Sequence, residues 1–389
     1  MRCHACNAPV KKELVHPIDV LVASDCQPVH APMELLACNE CNHVQKANTA
    51  AWQAACDSIY ADYRIYFQSA GREQKARGVQ TDSFAPRSEL ITQFLSSPIS
   101  TADGSTKVEL AQDGGVLDIG CGNGAFLKAF AQQLPGWEIN GAEINETFRE
   151  DILQISERAK FFEAADLEGL DIQFDLVTLI HSLEHIPGPT QYLEHLRRLI
   201  KPDGLLLVQV PDATANPFDL IIADHASHFS VQSLARFVSA AGFEIEACGN
   251  LVLGKEITLI ARQTSGLGDG KRDQEEYLAS NFLQGSMNWL NSIMRQAEEL
   301  SAKTSFGVFG TSIAASWIAS QLGDRLAFFV DEDEDRIGGM HLGRPIYAPE
   351  SAPTDGTVLI ALAPHLADRI KGRLLHLSCN FVIPSGSSE

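Results

Sequence analysis

The fold of this chain is decided by the stretch Val116-Leu117-Asp118-Ile119-Gly120-Cys121-Gly122-Asn123-Gly124. An apolar strand there leads into glycines at three alternate positions, and a helix-forming sequence follows. Glycine lets a backbone turn sharply and approach a ligand closely, and the first amides of the helix then face whatever lies over the strand end. The stretch therefore predicts an α/β domain with a ligand at its first turn.

The surrounding residues, 115–263, alternate between apolar and amphipathic segments, which is typical of an α/β sheet. We predict strands at 116–120, 138–144, 160–165, 174–182 and 205–211, and helices at 124–134, 145–158 and 190–200. The last two predicted strands, 243–250 and 256–263, are joined by a link that is too short for a crossover. They should therefore pair antiparallel, at the end of a mostly parallel sheet.

The spacing of the glycines favours one kind of ligand over another. A dinucleotide loop reads Gly-x-Gly-x-x-Gly, whereas this loop reads Gly-x-Gly-x-Gly with Asp118 two positions before it. That acid suits a cationic or amino-acid-bearing ligand better than a diphosphate. Glu143, at the end of the second predicted strand, can accept both hydroxyls of a ribose, and Asp166 after the third could reach an adenine amino group. A generic nucleotide loop with another cofactor is the alternative.

In this order the motifs resemble the class I S-adenosylmethionine-dependent methyltransferases over about 110–263. The run Leu183-Glu184-His185-Ile186-Pro187 is similar to that family as well. The resemblance implies S-adenosylmethionine as cofactor, with the glycines beside its methionyl group, Glu143 on the ribose, and Asp166 with Leu167 beside adenine. The cofactor residues that it implies are Asp118, Gly120, Cys121, Gly122, Gly124, Glu143, Asp166 and Leu167.

Four of the nine cysteines form two Cys-x-x-Cys pairs, Cys3 with Cys6 and Cys38 with Cys41. Each pair can present two thiolates from one turn, and two such pairs close a tetrahedral Zn²⁺ site. Because all four ligands come from the protein, such a site is structural. A redox pair and an iron–sulfur site are the alternatives, but in a reducing compartment paired Cys-x-x-Cys units favour a metal.

Candidate groups for acceptor chemistry follow the fourth and fifth predicted strands, opposite the cofactor. The fourth ends at His181, and the polar run Ala-Asp-His-Ala-Ser-His-Phe-Ser at 223–230 follows the fifth. Histidine titrates near neutrality, so His225 is the predicted general base, with Asp224 and His181 in support. The simpler interpretation of His185 is a helix cap, and Ser230 is predicted to cap a helix at 231–241.

The layout of the whole chain resembles the deoxysugar C-methyltransferases that carry an N-terminal zinc-binding domain. Those enzymes have Tyr-His-Glu-His where this chain has Ile222-Ala223-Asp224-His225. Their tyrosine and last histidine are implicated in deprotonating a carbon beside a keto group. Here the histidine is kept, the glutamate becomes Asp224 and the tyrosine is lost, so O- or N-methylation competes with C-methylation.

Five segments are expected from this layout. They are a zinc-binding domain (1–50), a helical bridge (51–112), the methyltransferase core (113–264), a connecting helix (274–303) and a Rossmann-like C-terminal domain (304–384). The bridge contains a predicted helix at 52–67 with Tyr60, Tyr63 and Tyr66 on one face. We predict a flexible linker at 264–273 and a disordered tail from Ser385.

Composition narrows the possible partners. The formal net charge is −20, from 50 acidic and 30 basic residues, which speaks against nucleic acid. No apolar run reaches the roughly 20 residues that span a bilayer, and no secretory signal is visible, so a cytoplasmic protein without a membrane partner is expected. The predicted function is methyl transfer to a sugar, nucleotide-linked. The alternatives are O- or N-methylation of another small metabolite, or a non-catalytic zinc-containing scaffold.

Overall fold

The computed structural model describes residues 1–63, 73, 75–80, 83–100, 107–264 and 278–385. Several expectations lie outside these residues: Tyr66, the predicted linker beyond Thr264, and the predicted tail beyond Ser385. In the described part, no helix is both long and apolar enough to cross a bilayer.

The N-terminal segment is built on a small antiparallel sheet. Its elements are β1 (Val15–Ile18), β2 (Leu21–Val22), β3 (Pro28–Val29), β4 (Met33–Cys38), β5 (His43–Lys46) and α1 (Ala50–Ala61). The strand β4 lies between β1 and β5, and β2 pairs with β3 as a separate hairpin. The helix of the predicted bridge, α1, begins at Ala50 and ends at Ala61. Thr49 caps its N-terminus, because the Thr49 side chain accepts a hydrogen bond from the Trp52 N–H.

A short connecting region precedes the main sheet. It contains β6 (Lys75–Arg77), β7 (Phe84–Pro86), α2 (Arg87–Leu95), β8 (Ile99–Ser100) and β9 (Lys107–Val108). The strands pair as two antiparallel hairpins, β6 with β7 and β8 with β9.

The core is a seven-stranded sheet. Its elements are β10 (Gly114–Ile119), α3 (Ala125–Gln133), β11 (Trp137–Glu143), α4 (Arg149–Leu153), β12 (Lys160–Glu163), β13 (Phe174–Ile180), α5 (Pro189–Leu196), β14 (Ile200–Pro211), β15 (Ser227–His228), α6 (Val231–Ala240), β16 (Phe243–Gly249) and β17 (Glu256–Gln263). The strand order is β12-β11-β10-β13-β14-β17-β16. The first five strands are parallel, and β17 runs antiparallel to both neighbours. This confirms the predicted α/β class with its antiparallel hairpin.

One predicted helix is much shorter than expected. The sequence predicts helix over 145–158, but α4 covers only Arg149–Leu153. The side chain of Asn145 accepts a hydrogen bond from the Thr147 N–H, which gives the backbone a turn in place of the first helical bonds. Helical periodicity alone does not reveal this competition.

The C-terminal part repeats the α/β pattern. It contains α7 (Ala279–Ser301), β18 (Ser305–Phe309), α8 (Ile313–Leu322), β19 (Phe328–Val330), β20 (Met340–His341), β21 (Arg344–Tyr347), β22 (Gly356–Leu359), α9 (Pro364–Leu374) and β23 (Asn380–Val382). Its sheet has the order β20-β21-β19-β18-β22-β23 and is parallel except for the β20–β21 hairpin.

These parts share apolar cores and backbone pairing. One core joins Leu35 of β4, Phe218 in the turn after β14 and Trp317 of α8. The core strand β15 also pairs with β5, so it completes the N-terminal sheet. The five segment boundaries stay predictions, but three of the segments meet in one packed interior. That packing holds the residues between them in a fixed arrangement.

Candidate active site and cysteine cluster

The glycine loop follows β10, and its backbone conformation disfavours residues that carry a side chain. Gly120, Gly122 and Gly124 have φ values of 79°, 49° and 72°. A Cβ on Gly120 would lie 2.7 Å from the Cβ of Ser182, and one on Gly124 would lie 2.5 Å from Ile152 Cδ1. These contacts and the positive φ values favour glycine, most strongly at Gly120 and Gly124.

Asp118 lies beneath that loop at the end of β10. Its carboxylate is buried and accepts a 2.7 Å hydrogen bond from the Thr178 hydroxyl of β13. Burial raises the pKa of Asp118 to about 7, with the Thr178 bond acting in the opposite direction. The side chain thus ties two central strands together directly under the glycines.

Glu143 ends β11 beside the same loop. Its two carboxylate oxygens accept from the Gly122 N–H at 2.9 Å and from the Ile144 N–H at 2.7 Å. A carboxylate has about four acceptor positions, so these two bonds leave room for two hydroxyl groups. This is the capacity that a ribose-binding acid needs.

A cavity of about 650 Å³ opens over the glycine loop. Five of the predicted cofactor residues line it: Asp118, Gly120, Cys121, Gly122 and Glu143. Gly124 instead begins α3, while Asp166 is exposed and Leu167 is buried in the apolar core. Of the turn Ala164–Gly169, Ala164 lines the cavity. The adenine contacts of Asp166 and Leu167 stay predictions.

His225 also lines this cavity, and a carboxylate that the sequence did not single out holds its ring. Its Nδ1 lies 2.8 Å from Asp219 Oδ1, and its ring packs edge-on against His185 with centroids 4.7 Å apart. Burial disfavours the imidazolium, but Asp219 outweighs it and raises the pKa of His225 above its usual value. His225 is therefore an imidazole that Asp219 orients at the cavity wall.

Asp219 serves a second histidine as well. Its Oδ2 lies 2.6 Å from Nδ1 of His228, and the carboxylate is buried in the turn Pro217–Ile221. Burial opposes its ionised form, but His225 and His228 hold the pKa of Asp219 well below its usual range. Asp219 was missed because nothing in its local sequence marks it, and its partners follow six and nine residues later.

Asp224 occupies a different place from the one expected. Its carboxylate is fully buried and accepts from the N–H of Ser24 at 2.8 Å and from the Ser24 hydroxyl at 2.6 Å. Its Oδ2 lies 3.4 Å from Nδ1 of His185. The carboxylate that contacts His225 is Asp219, so Asp224 holds the N-terminal segment and His185 in position instead.

His181 lies at the end of β13 with a left-handed φ of 53° and lines the cavity. Its Nε2 lies 2.9 Å from Glu256 Oε2 and its Nδ1 lies 3.2 Å from Glu184 Oε1. Burial and Arg87 oppose protonation, but the two glutamates raise the pKa of His181. Glu256 in turn forms a 3.0 Å ion pair with Arg87. His181 is thus engaged by carboxylates on both ring nitrogens.

The N-terminal helix reaches the site through Tyr60. The Tyr60 hydroxyl lies 2.9 Å from Nδ1 of His185, which is also 3.1 Å from the Asp224 carbonyl oxygen. Tyr60 and Tyr63 both line the cavity. Ser230 caps α6 as predicted, through reciprocal bonds with Ser233. His185 therefore links the helix α1 to the core and is more than a helix cap.

The four cysteines of the two pairs converge at the other end of the N-terminal sheet. All four sulfurs lie within 4.8 Å of one another, and Cys3–Cys41 and Cys6–Cys38 are 3.6 and 3.7 Å apart. Sulfurs about 2.3 Å from a tetrahedral Zn²⁺ would be about 3.8 Å apart, whereas a disulfide needs about 2.05 Å. The observed spacing fits a four-thiolate metal site.

Residues 93–247, which include the glycine loop and the five parallel strands of this sheet, match a protein family described as "Methyltransferase domain". The parallel sheet with its antiparallel end is the Rossmann-like fold expected above. This segment is a class I methyltransferase domain.

Curated relatives match about a third of this chain. The ubiquinone biosynthesis O-methyltransferase of Stutzerimonas stutzeri (strain A1501) is 31% identical over 129 residues, which cover 31% of this chain and 53% of the relative. The enzyme of the same name from Thiobacillus denitrificans (strain ATCC 25259 / T1) is 27% identical over 152 residues and is covered to 65%. The chain thus spans between half and two thirds of the length of these relatives.

Solved structures are similar over larger shares of this chain. A 1,6-didemethyltoxoflavin-N1-methyltransferase from Burkholderia thailandensis, with bound 1,6-didemethyltoxoflavin and S-adenosylhomocysteine, is 20% identical with a TM-score of 0.40. It covers 60% of this chain and is itself covered to 96%. The mitomycin 7-O-methyltransferase MmcR is 18% identical with a TM-score of 0.37, over 46% of this chain and 53% of MmcR.

Proposed function

We propose that this protein transfers a methyl group from S-adenosylmethionine to a hydroxyl of a nucleotide-linked sugar, with His225 as the general base. One observation carries the proposal: the glycine loop, Glu143 and His225 line a single cavity. A methyl donor and an oriented base must share a site for in-line transfer, because the reacting atoms have to meet within van der Waals reach. The methyltransferase domain supports the same reaction class.

The cofactor side of the cavity fits S-adenosylmethionine. Glu143 has free acceptor positions for the ribose hydroxyls, and Gly120 and Gly122 allow the backbone to approach the methionyl group. The carboxylates of Asp118 and Glu143 make the lining favourable to a cationic sulfonium. When bound, this cofactor supplies an electrophilic methyl group.

On the acceptor side, His225 removes the hydroxyl proton as the oxygen–carbon bond forms and the carbon–sulfur bond breaks. Its Nδ1 is held by Asp219, so Nε2 is the nitrogen left to take that proton. General-base catalysis of this kind contributes about 10²- to 10⁴-fold. His181 and Asp224 are proposed to support the site, His181 from the cavity wall and Asp224 by fixing His185.

A sugar acceptor is supported by what else lines the cavity. Tyr60, Tyr63 and Tyr192 provide ring faces and hydroxyls, and buried carboxylates such as Glu184 can accept from sugar hydroxyls. The C-terminal domain contributes Ser312 and the first residues of α8, whose free amides suit a phosphate. A volume of about 650 Å³ accommodates a ligand larger than a simple metabolite.

Oxygen is the proposed methylated atom. Ile222 lines the cavity at the position where the resembling C-methyltransferases have a tyrosine, so the second proton-transfer group is absent at that position. The curated relatives are called O-methyltransferases, which supports the same choice. The cysteine cluster is proposed to hold a structural Zn²⁺ through Cys3, Cys6, Cys38 and Cys41. The cytoplasmic location and the absence of nucleic-acid and membrane partners stay predictions.

The decisive experiment compares His225→Asn with the wild type on a panel of nucleotide sugars. We expect turnover to fall by about 10²-fold or more, while calorimetry shows unchanged binding of S-adenosylmethionine. His195→Asn is the matched control, because His195 is exposed on α5 and should have no effect.

Three other results would contradict the proposed base, the proposed acceptor or the proposed activity. Unchanged turnover in His225→Asn removes that residue from the mechanism. Turnover on other small hydroxyl or amine acceptors, with none on any nucleotide sugar, replaces the acceptor. A wild type that binds no S-adenosylmethionine is a scaffold and overturns the proposal.

A further inference from the structure

Four buried polar side chains form a continuous line from the N-terminal sheet to the cavity. Lys46, the last residue of β5, has its Nζ 2.9 Å from Nε2 of His228. His228 Nδ1 lies 2.6 Å from one oxygen of Asp219, whose other oxygen lies 2.8 Å from His225 Nδ1. None of the four is more than 4% exposed. Such a line is costly to bury unless every member is satisfied.

The hydrogen-bond count fixes where the protons are. The Lys46 ammonium has three N–H donors, and its three neighbours are His228 Nε2 and the carbonyl oxygens of Leu220 and Ile222, at 2.8 and 3.0 Å. Nδ1–H of His228 donates to Asp219 whether Lys46 Nζ or His228 Nε2 holds the proton between them. Because an ionised carboxylate only accepts, Nδ1 of His225 must also carry hydrogen, which leaves Nε2 of the neutral His225 ring with a lone pair.

Charge balance gives Lys46 a second role. The buried Asp219 carboxylate needs one positive charge nearby, and the Lys46–His228 pair supplies it whichever of the two holds the proton. Burial lowers the pKa of Lys46 to about 7, while Asp219, Asp224 and Cys56 act to raise it. The carboxylates that face His225 are Asp219, Glu184 and Asp224. Without the cation, the uncompensated carboxylate would be neutralised by a proton on His225.

We propose that Lys46, acting through His228 and Asp219, is a positioning residue that keeps His225 in the Nδ1–H form with its Nε2 lone pair open to the acceptor. The role in methyl transfer rests on the proposed function, but the proton arrangement does not. Lys46 is five residues beyond Cys41 on the same hairpin. The N-terminal domain would therefore contribute directly to catalysis.

The first test needs no substrate. Nitrogen NMR of protein labelled with ¹⁵N-histidine distinguishes protonated from bare ring nitrogens, and His225 is assigned by the signals lost in His225→Asn. Above the His225 midpoint we expect hydrogen on Nδ1 and none on Nε2. Hydrogen on Nε2 of His225 would overturn the proposal, whether or not any variant folds.

Two variants separate orientation from charge. In Asp219→Asn an amide N–H faces His225 and forces the opposite tautomer, so turnover should fall by about 10²- to 10⁴-fold at every pH. In His228→Gln the new amide can donate to Asp219 and accept from Lys46, so the pH profile should stay within about threefold of the wild type.

Adding Lys46→Met to His228→Gln removes the cation with no histidine left to replace it. The His225 midpoint and the acidic limb of kcat/KM should both rise by about one pH unit, and activity should recover at high pH. Lys201→Met is the control, because Lys201 also serves a carboxylate, Asp175, but on the exposed surface. S-adenosylmethionine binding should be unchanged in all variants.

The outcomes divide cleanly between the two proposals. An equal loss of activity at every pH in the double variant would mean that Lys46 is only structural, and this inference would fall. An unshifted His225 midpoint would have the same meaning. If the NMR results hold but the wild type transfers no methyl group to any acceptor, the proposed function fails and the proton arrangement stands.

Discussion

The cysteine cluster and the histidine cluster around Asp219 lie at opposite ends of β5, because Cys41 precedes this strand and Lys46 ends it. The four cysteine sulfurs lie within 4.8 Å of one another. In the histidine cluster, Asp219 holds Nδ1 of His225, and His225 lines the cavity. A site whose ligands are all supplied by the protein can only stabilise, whereas one with an open position can react. On the proposed function, the cysteine cluster is the closed, structural site and the histidine cluster is the open, catalytic site.

The largest effect should come from removing one ligand of the cysteine cluster. Cys38→Ser removes one of four sulfurs, and structural zinc sites contribute apparent binding energies of about 10–16 kcal/mol in small domains. We expect the purified protein to lose its zinc and the N-terminal sheet to lose its order, with a large drop in unfolding temperature. Elemental analysis and calorimetry measure both.

Cys379→Ser is the control for this change. Cys379 is also buried, but its sulfur contacts the Gly356 carbonyl oxygen, far along the chain from the cluster. It should keep one zinc per chain and lose at most about 2 kcal/mol. Wild-type protein purified without metal, or Cys38→Ser with a full zinc content, would contradict the four-thiolate site.

A smaller effect should come from binding a cation beside the histidine cluster. Glu184, His185 and His225 offer ligand atoms within 4.8 Å of one another. Added Ni²⁺ should bind there, occupy the His225 lone pair and inhibit turnover by about tenfold or more, since imidazole prefers such a cation. Mg²⁺, which prefers oxygen ligands, should have little effect. Rates measured before and after a mild chelator test this.

Activation by the added cation would contradict the base role. His225 would then be a metal ligand, and the metal would bind the acceptor oxygen. Inhibition that persists after chelation would instead indicate displacement of the structural metal, which elemental analysis detects.

The sequence predicted most of the fold because its signals are local. The glycines after β10 and the short link between β16 and β17 fix the turn and the antiparallel pairing. The four cysteines could be paired by spacing, and Ser230 could be identified as a cap for the same reason. These features depend on a few neighbouring residues.

The candidate site was only half predictable because its contacts are long-range. Asp224 was predicted to support His225, but its hydrogen bond from Ser24, 200 residues away, could not be predicted. Lys46 reaches His228 across 182 residues through the pairing of β5 with β15. No periodicity or spacing carries that information, since the strand pairing that brings the groups together forms only in the packed structure.

The pH profile gives the smallest but most discriminating effect between the two clusters. Burial lowers the pKa of His225, but Asp219 outweighs it and raises that pKa above its usual value, so the proposed base is lost when His225 gains a proton at lower pH. The logarithm of kcat/KM should therefore fall with unit slope below this raised pKa, about tenfold per pH unit. Thiolate ligands also lose metal to protons, so zinc content must be measured at each pH. If zinc stays bound over the pH range in which kcat/KM falls, the fall reports the protonation of His225. If activity falls only together with the zinc content, acid disrupts the cysteine cluster first, and the fall does not report His225.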